Sequence, residues 1–492
     1  MKKIIVIGAG IGGLSAGIYA RKNGYDATLY ESHFLPGGMC TAWRRNGFTF
    51  EGCLHFIGIV GSSPEHMYYR VWKELGVMPD TVMINHDICH TLHDKSGRTL
   101  NLFTDADMLE KELLSLSPAD AKEIKALRSA VKRYSCFVRT AGKNPFRFIA
   151  NVAGILAGIP LLKKYGALNI ADYAGRYEDP LIRYAFNNLC IYSDFPCTTL
   201  FFFLAGFHLR SSGYPQGSSL AFASTIERTF LELNGKIEYR KKVKRIVVKD
   251  GQATGIELDD GTLEKADIII SAADGHATLF DMLDDKFTTP TLRERYETHP
   301  VFPPFIQVSL GVNRDMSGTP HSLNVQTAVP FEIAGRTRQA LWYQHFAFDT
   351  TLAPPGKTPI VVLYPSDLAW WEKLGYASEE YQAEKKKILD ETIVQLEQVL
   401  PGISPQIETS DVATPFTTLR YTHNWKAGLG FMMRKDIAEE MFMKPQYTLP
   451  GLENFYMVGQ WVKGLGVPMA AIAGKEVIQK ICKADRRKFK AE

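Results

Sequence analysis

The chain has 492 residues, too many for one ordinary hydrophobic core, so two or three domains are expected. With 45% hydrophobic and 22% charged residues the composition is globular, which excludes a disordered or fibrous chain. A formal net charge of +4 is small for this length and argues against nucleic acid as the main partner.

The N-terminus opens with Met1-Lys2-Lys3 and an apolar run, superficially like a signal peptide. No small-x-small cleavage site follows a true apolar segment, so an unprocessed chain is expected. The run instead reads as a buried strand ending in Gly8-x-Gly10-x-x-Gly13, followed by an apolar-patterned helix over 14–22 and a short strand over 27–30 that delivers Glu31. Each part suits a dinucleotide. Gly8 makes the strand-to-helix turn, Gly10 lets backbone approach a pyrophosphate, and Gly13 lets helix and strand pack closely. The helix N-terminus, at Ile11, faces phosphate charge. Glu31 stands where a carboxylate accepts hydrogen bonds from an adenosine ribose. Further glycines at Gly17 and Gly24 fit the FAD-binding form of the fingerprint better than the NAD form.

Between 81 and 92 a strand is expected, closed by the turn Asp94-Lys95-Ser96-Gly97 as a hairpin. His86, Cys89, His90 and His93 lie on it at metal-like spacing. On a strand, however, His86 and His90 face one side and Cys89 and His93 the other, so no metal is expected. The stretch 146–162 carries only Arg147 and Asn151 as strongly polar residues and is flanked by Lys143, Lys163 and Lys164. It reads as a core or lid helix, or as a monotopic helix in the headgroup region with its lysines on lipid phosphate. A transmembrane helix is the third reading, against which its length, Pro160 and two glycines count. The apolar run 199–209 suits either a substrate tunnel or a buried helix.

From 214 to 285 the pattern is a helix (220–233), strands over 243–249 and 253–258 separated by Asp250-Gly251 and followed by Asp260-Gly261, and a buried strand over 268–271. The last stretch, 455–482, reads as strand, glycine-rich turn and helix. Pro468 suits that helix's first turn, and its N-terminal amides would stabilise a reduced flavin's negative charge. Seven cysteines without a C-x-x-C pair suggest reduced thiols in a cytoplasmic setting.

The expected architecture is α/β: a Rossmann-like FAD-binding domain assembled from segments 1–75, 214–285 and 420–492, with an inserted α+β substrate domain from 76–213 and 286–419. The active site would lie between the two.

Several motifs carry a resemblance to a known family. Leu35-Pro36-Gly37-Gly38-Met39-Cys40 leads through Arg44-Arg45-Asn46 to Gly47-Phe48-Thr49-Phe50-Glu51-Gly52. Tyr214-Pro215-Gln216-Gly217-Ser218-Ser219, the strand Ala266 onward to Ala273-Asp274, and Gly459-Gln460-Trp461 through Gly464-Leu465-Gly466-Val467-Pro468 follow in order. Together they resemble the phytoene (carotenoid) desaturase family, which includes carotenoid isomerases and retinol saturases within the amine-oxidase-like flavoproteins. The resemblance spans nearly the whole chain. It implies FAD held by Gly8, Gly10, Ile11, Gly13, Glu31, Gly37, Gly38, Met39, Arg45, Val243, Ala273, Gly459, Gln460, Gly466, Val467 and Pro468.

Departures from the pattern bear on the reaction. Met39 stands where the family has arginine, leaving Arg44 or Arg45, or no residue, to supply a positive charge. Glu51-Gly52-Cys53-Leu54-His55 lacks the family's proline and looks closer to the saturase and isomerase branch. Gln460 replaces an acid common in relatives. A flavin carries hydride chemistry itself, so a dedicated acid–base pair is not required. His55, which follows the flavin-proximal segment, is the best polar candidate for a catalytic role, with Tyr214 and His423 behind it.

The leading expectation is an FAD-dependent oxidoreductase that desaturates, saturates or isomerises carbon–carbon bonds of a long apolar isoprenoid, carotenoid-like or fatty substrate. Peripheral contact with the inner face of a membrane accompanies it. The alternatives are an FAD-dependent amine oxidase and, from another class, a non-catalytic lipid carrier of the GDP-dissociation-inhibitor type. With a single dinucleotide fingerprint, electrons would come from or go to a diffusible molecule or a partner protein.

Overall fold

The computed structural model describes residues 1–55, 58–140, 145–189, 193–432 and 444–492. Its organising element is a five-stranded parallel sheet in the order Lys236–Tyr239, Asp26–Glu31, Lys3–Ile7, Ile268–Ser271, Phe455–Met457. The sheet therefore takes strands from three distant stretches of sequence. Ile4, Ile5 and Val6 pair with Ile268, Ile269 and Ile270 and are completely buried, as continuous apolar runs in a parallel sheet covered on both faces should be.

Helices Ile11–Lys22, Ser218–Glu232 and Val467–Ala484 pack on this sheet. The first and last of these touch almost backbone to backbone. A Cβ on Gly474 would stand 2.6 Å from the Ala16 nitrogen and 2.7 Å from the Gly12 oxygen, and Ser15 Oγ donates to the Ala471 carbonyl at 2.6 Å. A three-stranded antiparallel sheet, Val243–Lys249, Gln252–Leu258 and Leu263–Lys265, adds Val243, Ile246, Ile256 and Leu258 to the same core.

The two insertions build one further unit. Its seven-stranded sheet runs Ile407–Ala413, Phe305–Val312, Thr358–Pro365, Arg336–His345, Ser322–Ile333, Ile88–His93, Thr99–Phe103. The one parallel pairing in it joins the insertions, Leu323 opposite Thr91. Helices Ala106–Leu116, Ala121–Val138, Pro180–Leu189 and Cys197–His208 form an apolar cluster beside it. The run expected over 199–209 as tunnel or buried helix lies in the mostly buried helix Cys197–His208, and its Thr199, Phe202, Phe203 and Phe207 also line the large cavity.

The stretch expected over 146–162 is a helix, Pro145–Gly166, that continues through Pro160. Gly154 and Gly158 let it lie against Ala121–Val138: a Cβ there would meet Cys136 Sγ at 2.6 Å and the Phe137 ring at 2.5 Å. Ile149, Val152, Leu156 and Ile159, on the opposite side by helical period, are exposed. Among the described residues no helix is long and apolar enough to cross a membrane.

One expectation needs correction. The single strand read over 81–92 is two, because the chain must serve two partners. Met83–Ile84 pairs with Ser212–Pro215, and Ile88–His93 pairs with Thr99–Phe103. His86 falls in the break between them and stacks on His321, ring centroids 3.6 Å apart.

Candidate cofactor and active site

A single cavity of about 1810 Å³ runs from the glycine fingerprint to the helical cluster of the inserted unit. Ligand pockets of ~300–1,000 Å³ are usual, so this one has room for a large cofactor and a second molecule. Its walls fall into four regions.

The first is the glycine-lined region. Gly8 takes φ +96° to turn the chain, and its side is so close to Gly13 that a Cβ on Gly13 would collide with the Gly8 oxygen. Gly13 therefore packs, and is not part of the cavity wall, whereas Gly8, Gly10, Ile11, Gly37, Gly38 and Met39 line it. Gly10 caps the first helix without a side-chain hydrogen bond, and a Cβ on it would meet nothing closer than 4.0 Å. The space in front of it is free, and the first-turn amides have no side-chain cap among the described residues. Arg45 lines the cavity but is already ion-paired to Asp411 at 2.9 Å.

The second region holds the acid. The Glu31 carboxylate accepts from the Ala9 amide at 2.6 Å and the His33 amide at 2.8 Å, which fixes it at the edge of the cleft. Lys242, Val243, Tyr421 and His423 line the same end. His423 feels Lys242, Glu31 and Asp259 and is held below the ordinary histidine range mainly by burial. It thus sits at the Glu31 end of the cavity.

In the third region the C-terminal turn meets the fingerprint. Gly459 (φ +98°) and Gly466 (φ +106°) take conformations that L side chains resist, and a Cβ on Gly459 would project into open space. Gly466 precedes the helix Val467–Ala484 with no side-chain cap, and Pro468 occupies its first turn. Gln460, Val467, Pro468 and Ala273 complete this wall. Two helix N-termini therefore converge on one cleft with uncapped amides, a donor set that fits an anionic dinucleotide.

The fourth region is an apolar arm lined by Phe137, Leu162, Leu189, Phe195, Phe202 and Phe207, among others. His55 stands between cleft and arm. Burial pushes its imidazole down to about 4, so the ring is neutral near pH 7. Tyr214 lies behind it, outside the cavity wall among the described residues, and its hydroxyl donates to the His55 carbonyl at 2.8 Å. Tyr214 positions the His55 backbone; burial drives its phenol well above the ordinary range.

Three polar residues here were not singled out from sequence. Glu51 is buried, and its carboxylate accepts from the amides of Gly52, Cys53, Leu54 and Ser219, tying the hairpin Ala42–Arg45/Phe48–Glu51 to the second segment. Asp274 accepts from the Ala277 and Trp425 amides and is pushed up to about 6 by burial. His66 lines the apolar arm with burial pushing it to about 4, and its Nδ1 accepts from the Tyr68 amide at 3.1 Å. Glu51 and Asp274 lie inside motifs quoted above, so their position was visible but their role was not. His66 had no signal, being a lone loop histidine.

The metal-like spacing near residue 90 resolves into other contacts. His90 Nδ1 meets Ser322 Oγ at 2.7 Å, and Cys89 Sγ donates to the Leu102 carbonyl at 3.2 Å. Among the described residues no group of three or more His, Cys, Asp and Glu is arranged to hold a metal.

A parallel nucleotide sheet, two converging helix N-termini and an acid at the second strand's end define a dinucleotide-binding flavoprotein. The chain belongs to the family described as flavin containing amine oxidoreductase, whose sequence model matches residues 11–482. Its cofactor is FAD, and it is an oxidoreductase of that family. The chain is 26% identical to a phytoene desaturase (lycopene-forming) of Pseudescherichia vulneris, over 96% of this chain and 98% of that one. It is 24% identical to a chloroplastic prolycopene isomerase of Daucus carota, over 96% of this chain and 78% of that one. In fold it is similar to an oxidoreductase from Methanosarcina mazei, with a TM-score of 0.63 at 19% identity, covering 97% of this chain and 100% of that one. It is also similar in fold to a putrescine oxidase bound to putrescine, with a TM-score of 0.61 at 12% identity, covering 98% and 99%.

Two outcomes follow for this site. Gly10→Val would place two methyl groups in the open cleft, so the purified variant should lose bound flavin by absorbance while its far-ultraviolet circular dichroism stays unchanged. The neutral histidines His55, His66, His86 and His345, each held down to about 4 mainly by burial, bind protons when the chain unfolds at pH below about 6.5. Stability is therefore fully present above that pH and should fall as pH drops from about 6.5 to 4, measured as a falling denaturant midpoint.

Proposed function

We propose that this oxidoreductase acts on the carbon–carbon bonds of a long apolar substrate of the isoprenoid or polyene class. The observation that carries this reading is the apolar arm, which continues the cofactor cleft into a phenylalanine-rich channel. The names of the relatives, a phytoene desaturase and a prolycopene isomerase, support it.

Bound FAD supplies two-electron hydride chemistry. The protein's own part begins with Gly8, Gly10, Ile11, Gly37, Gly38 and Met39 around the pyrophosphate and Glu31 on the ribose. Val243 and Ala273 flank the nucleotide, and Gly459, Gln460, Gly466, Val467 and Pro468 cradle the ring. The amides of the last helix stabilise negative charge there. The arm aligns the chain of the substrate and excludes water. Neutral His55 acts as a hydrogen-bond donor or a structural group, since near pH 7 it holds no extra proton to give. An amine substrate would call for a polar cage, which the phenylalanine-lined arm does not offer; a carrier without flavin does not fit the FAD site.

The exposed face of Pro145–Gly166 extends the proposal. Leu162 and Gly166 of this helix line the cavity, while Ile149, Val152, Leu156 and Ile159 face outward, with Lys163 and Lys164 exposed at the same end. Such a face suits peripheral contact with a bilayer that holds the lipophilic substrate.

With FAD-loaded enzyme and a polyene in detergent or vesicles, the expected result is a change in double-bond number or position, read by chromatography with absorbance. Oxidised enzyme should bleach anaerobically if it desaturates. Prereduced enzyme alone should act if it saturates or isomerises. No change with either form would sink the substrate reading. On anionic vesicles the double variant Ile149→Glu/Leu156→Glu should lose most of its flotation, about tenfold, with flavin content unaltered; equal flotation would remove the membrane contact.

A further inference from the structure

The hairpin that carries Arg45 and Glu51 has an unused feature at its base. Its register places Ala42 opposite Glu51, and the Gly52 amide donates to the Thr41 carbonyl at 3.0 Å. The ladder ends there, and just past it the thiols of Cys40 and Cys53 are in hydrogen-bond contact. Two thiols already in contact need only small side-chain rotations to reach the ~2.05 Å sulfur–sulfur separation of a disulfide.

Both cysteines are free thiols, and both line the cofactor cavity, beside Gly38 and Met39 on one strand and Gly52 and His55 beyond the other. Cys40 is buried, its Sγ donating to the Ser219 carbonyl at 3.5 Å, whereas Cys53 is half-buried and open to the cavity. The neighbouring Cys53 thiol and burial hold the Cys40 thiol well above its ordinary range, which keeps it a neutral reserve behind the accessible partner. Cys89, Cys136, Cys197 and Cys482 do not line this cavity, so the pairing is particular to these two among the described residues.

We propose that Cys40 and Cys53 form a dithiol/disulfide couple that exchanges two electrons with the FAD held in the same cavity. The proposal rests on the cofactor and is independent of the substrate. In the forward direction the two S–H bonds break and one S–S bond forms. Two electrons and two protons leave the pair, and the oxidised flavin takes them up to become reduced flavin. An external thiol reductant then attacks the disulfide at Cys53, and exchange returns both cysteines to thiols. The couple gives a chain with one dinucleotide fingerprint a route for electrons that needs no nicotinamide site.

The experiment has two arms. In the apoprotein, treatment with diamide followed by alkylation and peptide mass spectrometry should find a Cys40–Cys53 disulfide, absent from Cys53→Ser and from Cys40→Ala. In the holoprotein oxidised beforehand, anaerobic titration with dithionite should consume twice the reducing equivalents per flavin that either variant consumes. Flavin content is read from the same absorbance spectra. Failure of the disulfide to form in the apoprotein overturns the couple. A disulfide that forms while wild type and variants consume equal equivalents overturns its exchange with the flavin. Neither arm uses a substrate, so failure of the polyene reading leaves both outcomes intact.

Discussion

The structure depends on how closely the first and last helices approach each other. Gly12 and Gly474 carry no side chain where the two backbones meet, and the Ser15 hydroxyl closes the contact on the Ala471 carbonyl. Larger residues would force the helices apart by overpacking, at about 1–3 kcal/mol per site. This contact also sets the chemistry. It brings the N-termini that follow Gly10 and Gly466 to one cleft, so chain segments more than 450 residues apart aim their amides at one ligand.

Around that contact the polar groups are committed to fixed partners. Glu51 spends its carboxylate on four backbone amides, Asp274 on two, and Tyr214 donates to the His55 carbonyl. Such groups hold loops in register; they are poorly placed to shuttle protons. A site whose histidines are kept neutral and whose acids serve as anchors is consistent with reactions in which the flavin does the bond-making and the protein supplies alignment and dryness.

The inserted unit is the variable half of the design. Its sheet joins one strand pair from the first insertion to five strands of the second, and the apolar arm lies beneath the helices that follow. The arm therefore has no local sequence signature. It exists because distant phenylalanines converge, and the helix Pro145–Gly166 shares in it with one end while presenting an apolar face outward.

What the sequence by itself determined is the set of features governed by local backbone constraint. Gly8, Gly10 and Gly13 must be glycine for steric reasons that act within a few residues, and the buried strands at 3–7 and 268–271 show as unbroken apolar runs. The glycine turn at the first helix and the three-part nucleotide sheet were legible for that reason. Tertiary structure alone decided matters of convergence. It moved His423 to the Glu31 end of the cavity and left Tyr214 out of its wall among the described residues. It split the strand expected at 81–92, set His66 in the apolar arm and brought the thiols of Cys40 and Cys53 together. No local pattern encodes these placements, because each depends on which distant element pairs with, or packs against, a residue whose own neighbours in sequence carry no mark of it.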